Sequence, residues 1–158
     1  MQHLNQLLGR LIAADVEFVL VGGLAAAIHG SSLNTRDVDI CCRFTEANLL
    51  KIQQAFQGLN PVHRQRSDLP LVVTPELCEG LKNLYLKTDL GVVDCLGEVL
   101  AVGNFDDVLE HSTFVELPMG RFRILEVDTL IKAKEAMARP HDLIAVQHLK
   151  ALKTLLPP

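Results

Sequence analysis

The chain has 158 residues, enough for one globular domain with a sizeable core and too few for two full-size ones. Fifteen Lys+Arg against nineteen Asp+Glu leave a net charge of -4, which argues against a nucleic-acid coat protein but not against a local basic site. With no Trp and one Tyr there is no aromatic platform for single-stranded nucleic acid, and no apolar run is long enough to span a membrane.

Leu4, Leu7, Leu8, Leu11 and Ile12 recur at helical spacing and predict an amphipathic helix over residues 2–14. The same segment lacks a basic start followed by an unbroken apolar run, so no secretory signal is expected and the chain is read as cytoplasmic. Val16 to Val21 reads as a buried strand punctuated by Gly22-Gly23. Ala-rich Leu24 to His29 predicts two turns of helix closed by Gly30, with His29 set against the C-terminal dipole. Ser31 to Arg36 reads as a polar loop. Asp37 to Cys42 alternates as a strand does, which puts Asp37 and Asp39 on one face. Thr45 is placed to cap a helix bearing Leu49, Ile52 and Phe56. Residues 58–80 are the least regular stretch, with a short helix expected near Pro75 to Leu81. They carry the basic cluster His63, Arg64 and Arg66, either a loop that meets RNA or another acceptor, or a solvated one.

Leu84 to Lys87 and Gly91 to Leu96 read as strands joined around Asp89-Leu90-Gly91. Asn104 caps a short helix to about Glu110, where Asp106-Asp107 suit capping better than metal binding. Thr113 to Leu117 and Arg121 to Leu125 form a second hairpin around Pro118-Met119-Gly120. Val127 to Ala138 is helical, and Pro140 ends that helix and starts another to about Leu155. The alternation predicts a single α/β (α+β) domain over 1–158 with a mixed sheet. Its core spans about 16–126 and a helical pair about 127–155. Cys41, Cys42, Cys78 and Cys95 form no CxxC pair and read as small hydrophobes in a reducing compartment.

The chemistry concentrates in Val21-Gly22-Gly23, a gap of thirteen residues, and Asp37-Val38-Asp39-Ile40. Glycines at the end of a strand let backbone approach a ligand closely, and the N–H groups of a following helix favour an anion. Two carboxylates on one strand face repel each other unless a cation lies between them. Oxygen ligands of this kind suit Mg2+, which shares its shell with substrate phosphates and water. A phosphate cradle beside paired carboxylates suggests metal-assisted phosphoryl or nucleotidyl transfer. Asp94, a charge inside the apolar run Gly91 to Leu96, is the candidate third acid; otherwise it is a buried acid salt-bridged within the sheet.

These residues resemble the nucleotidyltransferase superfamily of DNA polymerase β, whose pattern is hydrophobic-Gly-Gly/Ser, roughly ten residues, then Asp-x-Asp. Leu130-Ile131-Lys132-Ala133-Lys134 through Arg139-Pro140-His141-Asp142-Leu143 looks like the Lys then Arg-x-x-Asp signature of its minimal bacterial members. Those include the abortive-infection toxin type and stand-alone uncharacterised ones. The resemblance implies a nucleotidyltransferase-like fold. It implies two Mg2+ ions, with Mn2+ as a substitute, held by Asp37, Asp39 and Asp94. It also implies an NTP whose triphosphate meets Gly22 and Gly23. The reaction implied is transfer of NMP to a hydroxyl of RNA, protein or a small molecule, with release of pyrophosphate. The contrasting expectation is a non-catalytic partner in a toxin–antitoxin or regulatory pair. The short chain leaves room for a partner chain or second copy to complete the acceptor site.

Lys134 is reached independently of the resemblance. At 100° per residue it falls in the middle of the face formed by Val127, Leu130, Ile131 and Ala138, while Lys132 falls on the far side. An inward amine needs an anion, either a triphosphate or Asp142. Arg36 directly precedes the acid pair and is placed either to meet substrate phosphate or to be solvated. Asp142 suits the first turn of the last helix, braced by Arg139, better than direct catalysis.

Overall fold

The structure is a computed structural model that describes residues 2–31 and 35–155, so positions 32–34 of the expected polar loop lie outside it. The first half of the chain forms α1 (Gln2–Ala13), β1 (Phe18–Val21), α2 (Gly22–His29), β2 (Asp37–Cys42), α3 (Glu46–Ala55), β3 (Val62–His63), β4 (Arg66–Pro70) and α4 (Pro75–Cys78). The second half forms β5 (Asn83–Thr88), β6 (Gly91–Leu96), β7 (Glu98–Val99), β8 (Gly103–Asn104), α5 (Phe105–Glu110), β9 (Ser112–Leu117), β10 (Gly120–Leu125), α6 (Val127–Met137) and α7 (Pro140–Leu155).

Eight strands make one mixed sheet in the order β4-β3-β5-β6-β2-β1-β10-β9. The hairpins pair antiparallel, while β2 with β6 and β1 with β10 pair parallel. Parallel neighbours need long crossovers, and the helices supply them. β1 is buried along its whole length, as a four-residue apolar central strand must be. α1 packs beside α3, with the side chains of Leu4, Leu7, Leu8 and Leu11 in the core. α2 packs against β1 and β2 and also touches α6 and α7, which pack on each other.

Residues 58–80 are more regular than their composition suggests. Val62 and His63 pair with both β5 and β4, so the sheet gains a short hairpin at this edge. Apolar alternation does not mark it, because β4 is exposed along its whole length and contains Pro70, which suits only an edge. The β7–β8 ribbon was likewise hidden by its two-residue strands. Cys41, Cys42 and Cys95 are buried free thiols, and Cys78 is half-buried and free.

Asn48 is the polar pin of this arrangement. It is 3% exposed; its Oδ1 accepts from the Glu17 N–H at 2.8 Å. Its Nδ2 donates to the carbonyls of Glu17 at 3.0 Å and Arg43 at 2.9 Å. One side chain on α3 thus ties the entry of β1 to the exit of β2. Truncation would leave the Glu17 N–H and the Arg43 carbonyl without this partner, each costing about 1–3 kcal/mol where buried, while the Glu17 carbonyl keeps the Arg43 N–H at 3.4 Å. The exposed capping box at Asn104, with Asp107, offers a comparison. Urea unfolding should show Asn48→Ala costing about 3 kcal/mol and Asn104→Ala about 1 kcal/mol. Equal losses would mean that the buried pin contributes no more than a surface cap.

Candidate active site

Register across the central strands builds the site. Val21 lies opposite Asp39, Asp39 opposite Asp94, and Asp94 opposite Tyr85. Directly opposed residues project to the same side, so Asp39, Asp94 and Tyr85 stand in a row across β2, β6 and β5. Asp37 is two residues from Asp39 on the same face, at the first position of β2.

α2 begins against this row. Gly22 has φ +71°, a conformation that side chains resist. A Cβ there would sit 2.8 Å from the Cβ of Asp39 and closer still to its carboxylate. Only glycine lets the start of α2 lie on Asp39. Gly23 follows, with Thr35 Oγ1 3.0 Å from where its Cβ would be. Both glycines belong to the first turn of the helix, where the sequence places them just before it. Their N–H groups are among those a helix leaves without intrahelical partners.

The row is electrostatically costly. Burial pushes the Asp39 carboxyl up to about 6, and repulsion from Asp94 and Asp37 adds to it, against opposing Lys134 and Arg139. Burial also raises Asp94; the Arg64 guanidinium opposes the rise and Asp37 adds to it. Arg64 Nη2 lies 3.3 Å from Asp94 Oδ1, close enough for an ion pair. The contact lacks hydrogen-bond geometry, and Asp94 Oδ1 is a buried oxygen with no hydrogen-bond partner among the described residues.

A second charged group closes the far side. Asp142 is 1% exposed and accepts from Arg139 Nε at 2.6 Å, Nη2 at 3.2 Å and the Arg139 backbone N–H at 3.3 Å. Lys134 Nζ lies 3.6 Å from the same carboxylate. Burial would raise the Asp142 carboxyl, but the Arg139 hydrogen bonds and the charges of Arg139 and Lys134 hold it below the usual carboxylate range. Burial lowers the Lys134 amine, and Asp142 only partly restores it. The brace between Arg139 and Asp142 is therefore present, and Lys134 faces Asp142 while still bordering the cleft.

The cleft between these groups has a volume of about 560 Å3. Gly22, Gly23 and Arg36 line it beside the three acids, and Arg64 with Tyr85 lines it opposite Lys134 and Arg139. Arg36 is exposed at the rim. An apolar recess of about 320 Å3 shares Gly22, Asp39 and Lys134 and runs on past Leu96, Val99 and Met137. Among the described residues, no three acidic, histidine or cysteine side chains gather into a ready-made metal cage. A hard cation at Asp39 and Asp94 would have to complete its shell from outside the protein, as Mg2+ does with phosphate oxygens and water.

No protein-family model matches the chain, and no curated protein matches it by sequence. Its backbone, however, is similar to the crystal structure of a "putative nucleotidyltransferase" from Thermotoga maritima. The two share 19% identity with a TM-score of 0.51, over 96% of this chain and 89% of that one. The fold is nucleotidyltransferase-like.

Within this nucleotidyltransferase-like fold, the cleft gathers all seven residues singled out in the sequence: Gly22, Gly23, Arg36, Asp37, Asp39, Asp94 and Lys134. Arg64, read as part of a basic cluster that either meets an acceptor or is solvated, also lines it; Tyr85, read only as a strand residue, was not singled out. A signal for Tyr85 exists: a two-residue turn at Asp89-Leu90 pairs Thr88 with Gly91 and hence Tyr85 with Asp94. Other expectations changed. His29 Nε2 bonds the Leu125 carbonyl on β10 at 2.8 Å instead of serving its own helix end. Arg66 pairs with Asp68 on the surface, away from the cleft. No helix among the described residues is long and apolar enough to cross a membrane.

The raised Asp39 carboxyl carries a stability cost with a definite sign. Unfolded, it titrates near 3.8; folded, near 6. Between those values the folded protein holds a proton that the unfolded chain has released. The cost is therefore absent below the unfolded value and fully present once pH has risen through about 6, so stability is lost over that range. Asp39→Asn keeps the site neutral at every pH. In metal-free protein it should raise Tm by a few degrees above about pH 7 and flatten the pH dependence between about pH 4 and 6. A lower Tm for the variant at neutral pH would show that Asp39 is not held at a cost.

Proposed function

We propose that this chain is a Mg2+-dependent nucleotidyltransferase that transfers NMP from an NTP to a hydroxyl acceptor and releases pyrophosphate. The observation that carries the reading is the pairing of Asp39 with Asp94 beside the start of α2 at Gly22. It sets two carboxylates beside the N–H end of a helix, a combination that supports a site for a nucleoside triphosphate with its cation.

The donor set fits a divalent cation. Two neighbouring carboxylates lie in low-dielectric surroundings, and Asp94 Oδ1 has no hydrogen-bond partner among the described residues. Asp37, Asp39 and Asp94 would hold the metal, and Mg2+ there would neutralise charge on both the entering and the leaving oxygen. The N–H groups at Gly22 and Gly23 would receive the triphosphate, with Arg36 at the rim and Lys134 behind it. Lys134 sits beside both Asp39 and Asp142, so its charge stays in the cleft instead of being carried into solvent. The acceptor oxygen forms a bond to the α-phosphorus while the bond to the β-phosphate oxygen breaks, and pyrophosphate carries off that electron pair. In this reading Asp94 takes the hydroxyl proton. Fixing these groups on adjacent strands supplies the alignment that an in-line displacement needs.

The test uses α-32P-labelled NTPs, Mg2+ and, in separate reactions, RNA, protein and metabolite fractions as acceptors. Label should enter one fraction, disappear with EDTA and return with Mg2+ or Mn2+. The double variant Asp37→Asn, Asp39→Asn should reduce transfer by at least about a hundredfold. A wild-type protein that neither transfers label nor binds a non-hydrolysable NTP analogue with Mg2+ would count for a non-catalytic partner protein.

A further inference from the structure

The β3–β4 hairpin carries two arginines that take different courses. Arg66 is exposed and bidentate to Asp68, at 3.0 and 2.9 Å. Arg64 turns inward. Its backbone N–H donates to the Tyr85 carbonyl at 2.9 Å, which fixes the turn against β5. Its guanidinium lies over the Tyr85 ring, with Cζ 5.1 Å from the centroid, and stops 3.3 Å from Asp94. The contact balances the charge of Asp94 without a hydrogen bond to hold it. The side chain keeps 37% of its surface open to the cleft. Lys134 and Arg139 stand on the other side of the acids and share Asp142. Positive charge thus flanks the acid row on two sides, with Arg64 the cation that lies next to Asp94 and Tyr85 among the described residues.

We propose that Arg64, seated on Tyr85, forms the acceptor side of the cleft and selects a hydroxyl that has a phosphate group beside it. The inference rests on the nucleotidyltransferase reading and names an acceptor class for it. A guanidinium already stacked on a ring loses little freedom on binding, and its planar fork matches two phosphate oxygens. When Asp94 turns to the acceptor hydroxyl, Arg64 loses its counter-ion but stays tethered over Tyr85. The acceptor phosphate then replaces the carboxylate. Neutral or cationic acceptors would leave the guanidinium unpaired. The phosphate can belong to the end of a polynucleotide or to a free nucleotide.

Binding, not turnover, tests this. With Mg2+ and a saturating non-hydrolysable NTP analogue, titrate a fluorescent oligoribonucleotide ending in a 3′-hydroxyl. In a second arm, titrate AMP by calorimetry, and in a third a serine-containing peptide without phosphate. Wild-type protein should bind one or both phosphate-bearing probes and not the peptide. The oligonucleotide alone would assign a polynucleotide end, and AMP a free nucleotide. Arg64→Ala should weaken that binding about tenfold or more, and Tyr85→Leu should weaken it as well. Arg66→Ala should change it by less than about twofold, because the same charge is lost outside the cleft. Affinity for the NTP analogue should stay the same. Arg64→Lys, which keeps the charge without the fork, should recover part of the loss and serves if Arg64→Ala does not fold. No loss in Arg64→Ala, equal losses in Arg64→Ala and Arg66→Ala, or peptide binding instead would overturn the proposal. So would a matching loss of NTP-analogue affinity, which would assign Arg64 to the triphosphate. Binding of the analogue but of neither phosphate probe overturns this inference alone; failure to bind the analogue removes the reading beneath it.

Discussion

Parallel pairing of β2 with β6 forces Asp39 and Asp94 side by side on a half-buried sheet face, and much of the surrounding structure answers that constraint. Two carboxylates so placed repel, and burial strengthens the repulsion by removing water. Three cations answer from two directions: Arg64 from the hairpin edge, Lys134 and Arg139 from the C-terminal helices. None closes a hydrogen bond on Asp94 Oδ1. The acids are therefore partly compensated and partly open, a state suited to a ligand that brings its own cation.

The compensating charges differ in how firmly they are held. Arg139 is locked to Asp142 by two side-chain hydrogen bonds, and Lys134 is buried against the same carboxylate. Removing Asp142 would leave buried charge unpaired, which is far more costly than losing a surface pair. That cluster holds α6 and α7 in place at the cleft wall. Arg64 is tied by its backbone, by an aromatic face and by an ion pair to Asp94 that lacks a hydrogen bond, so its charge is held less firmly. On the proposed reading, the firmly held side would take the triphosphate and the Arg64 side the acceptor.

Close packing of backbone explains the rest of the geometry. Gly22 carries no Cβ because Asp39 occupies that space, and its positive φ turns the chain from β1 into α2 at that point. Asn48 fixes the other end of the same two strands through Glu17 and Arg43. Between these two anchors β1 and β2 have little freedom to slip, and a slip of one residue would turn Asp39 away from Asp94.

Much of this was legible in the sequence. Strong local signals marked β2 at its observed bounds, Thr45 and Asn104 as caps, the β5–β6 and β9–β10 hairpins, and the break between α6 and α7 at Pro140. Periodicity placed Lys134 inward, and the glycine pair with Asp37 and Asp39 marked the chemistry. Asp142 could be named as a partner for Lys134, but the partners of the acids were not legible. Arg64 meets Asp94 only because β3 joins β5, which joins β6, and short exposed strands leave no alternation to read. Asp94 could be named as a candidate, but nothing within its own strand said that β2 would lie beside it. Local sequence determines where the backbone turns, caps and alternates, since those depend on neighbours a few residues away. Which carboxylate faces which cation depends on strand order and register, set by packing of the whole chain, and only the tertiary structure decided it.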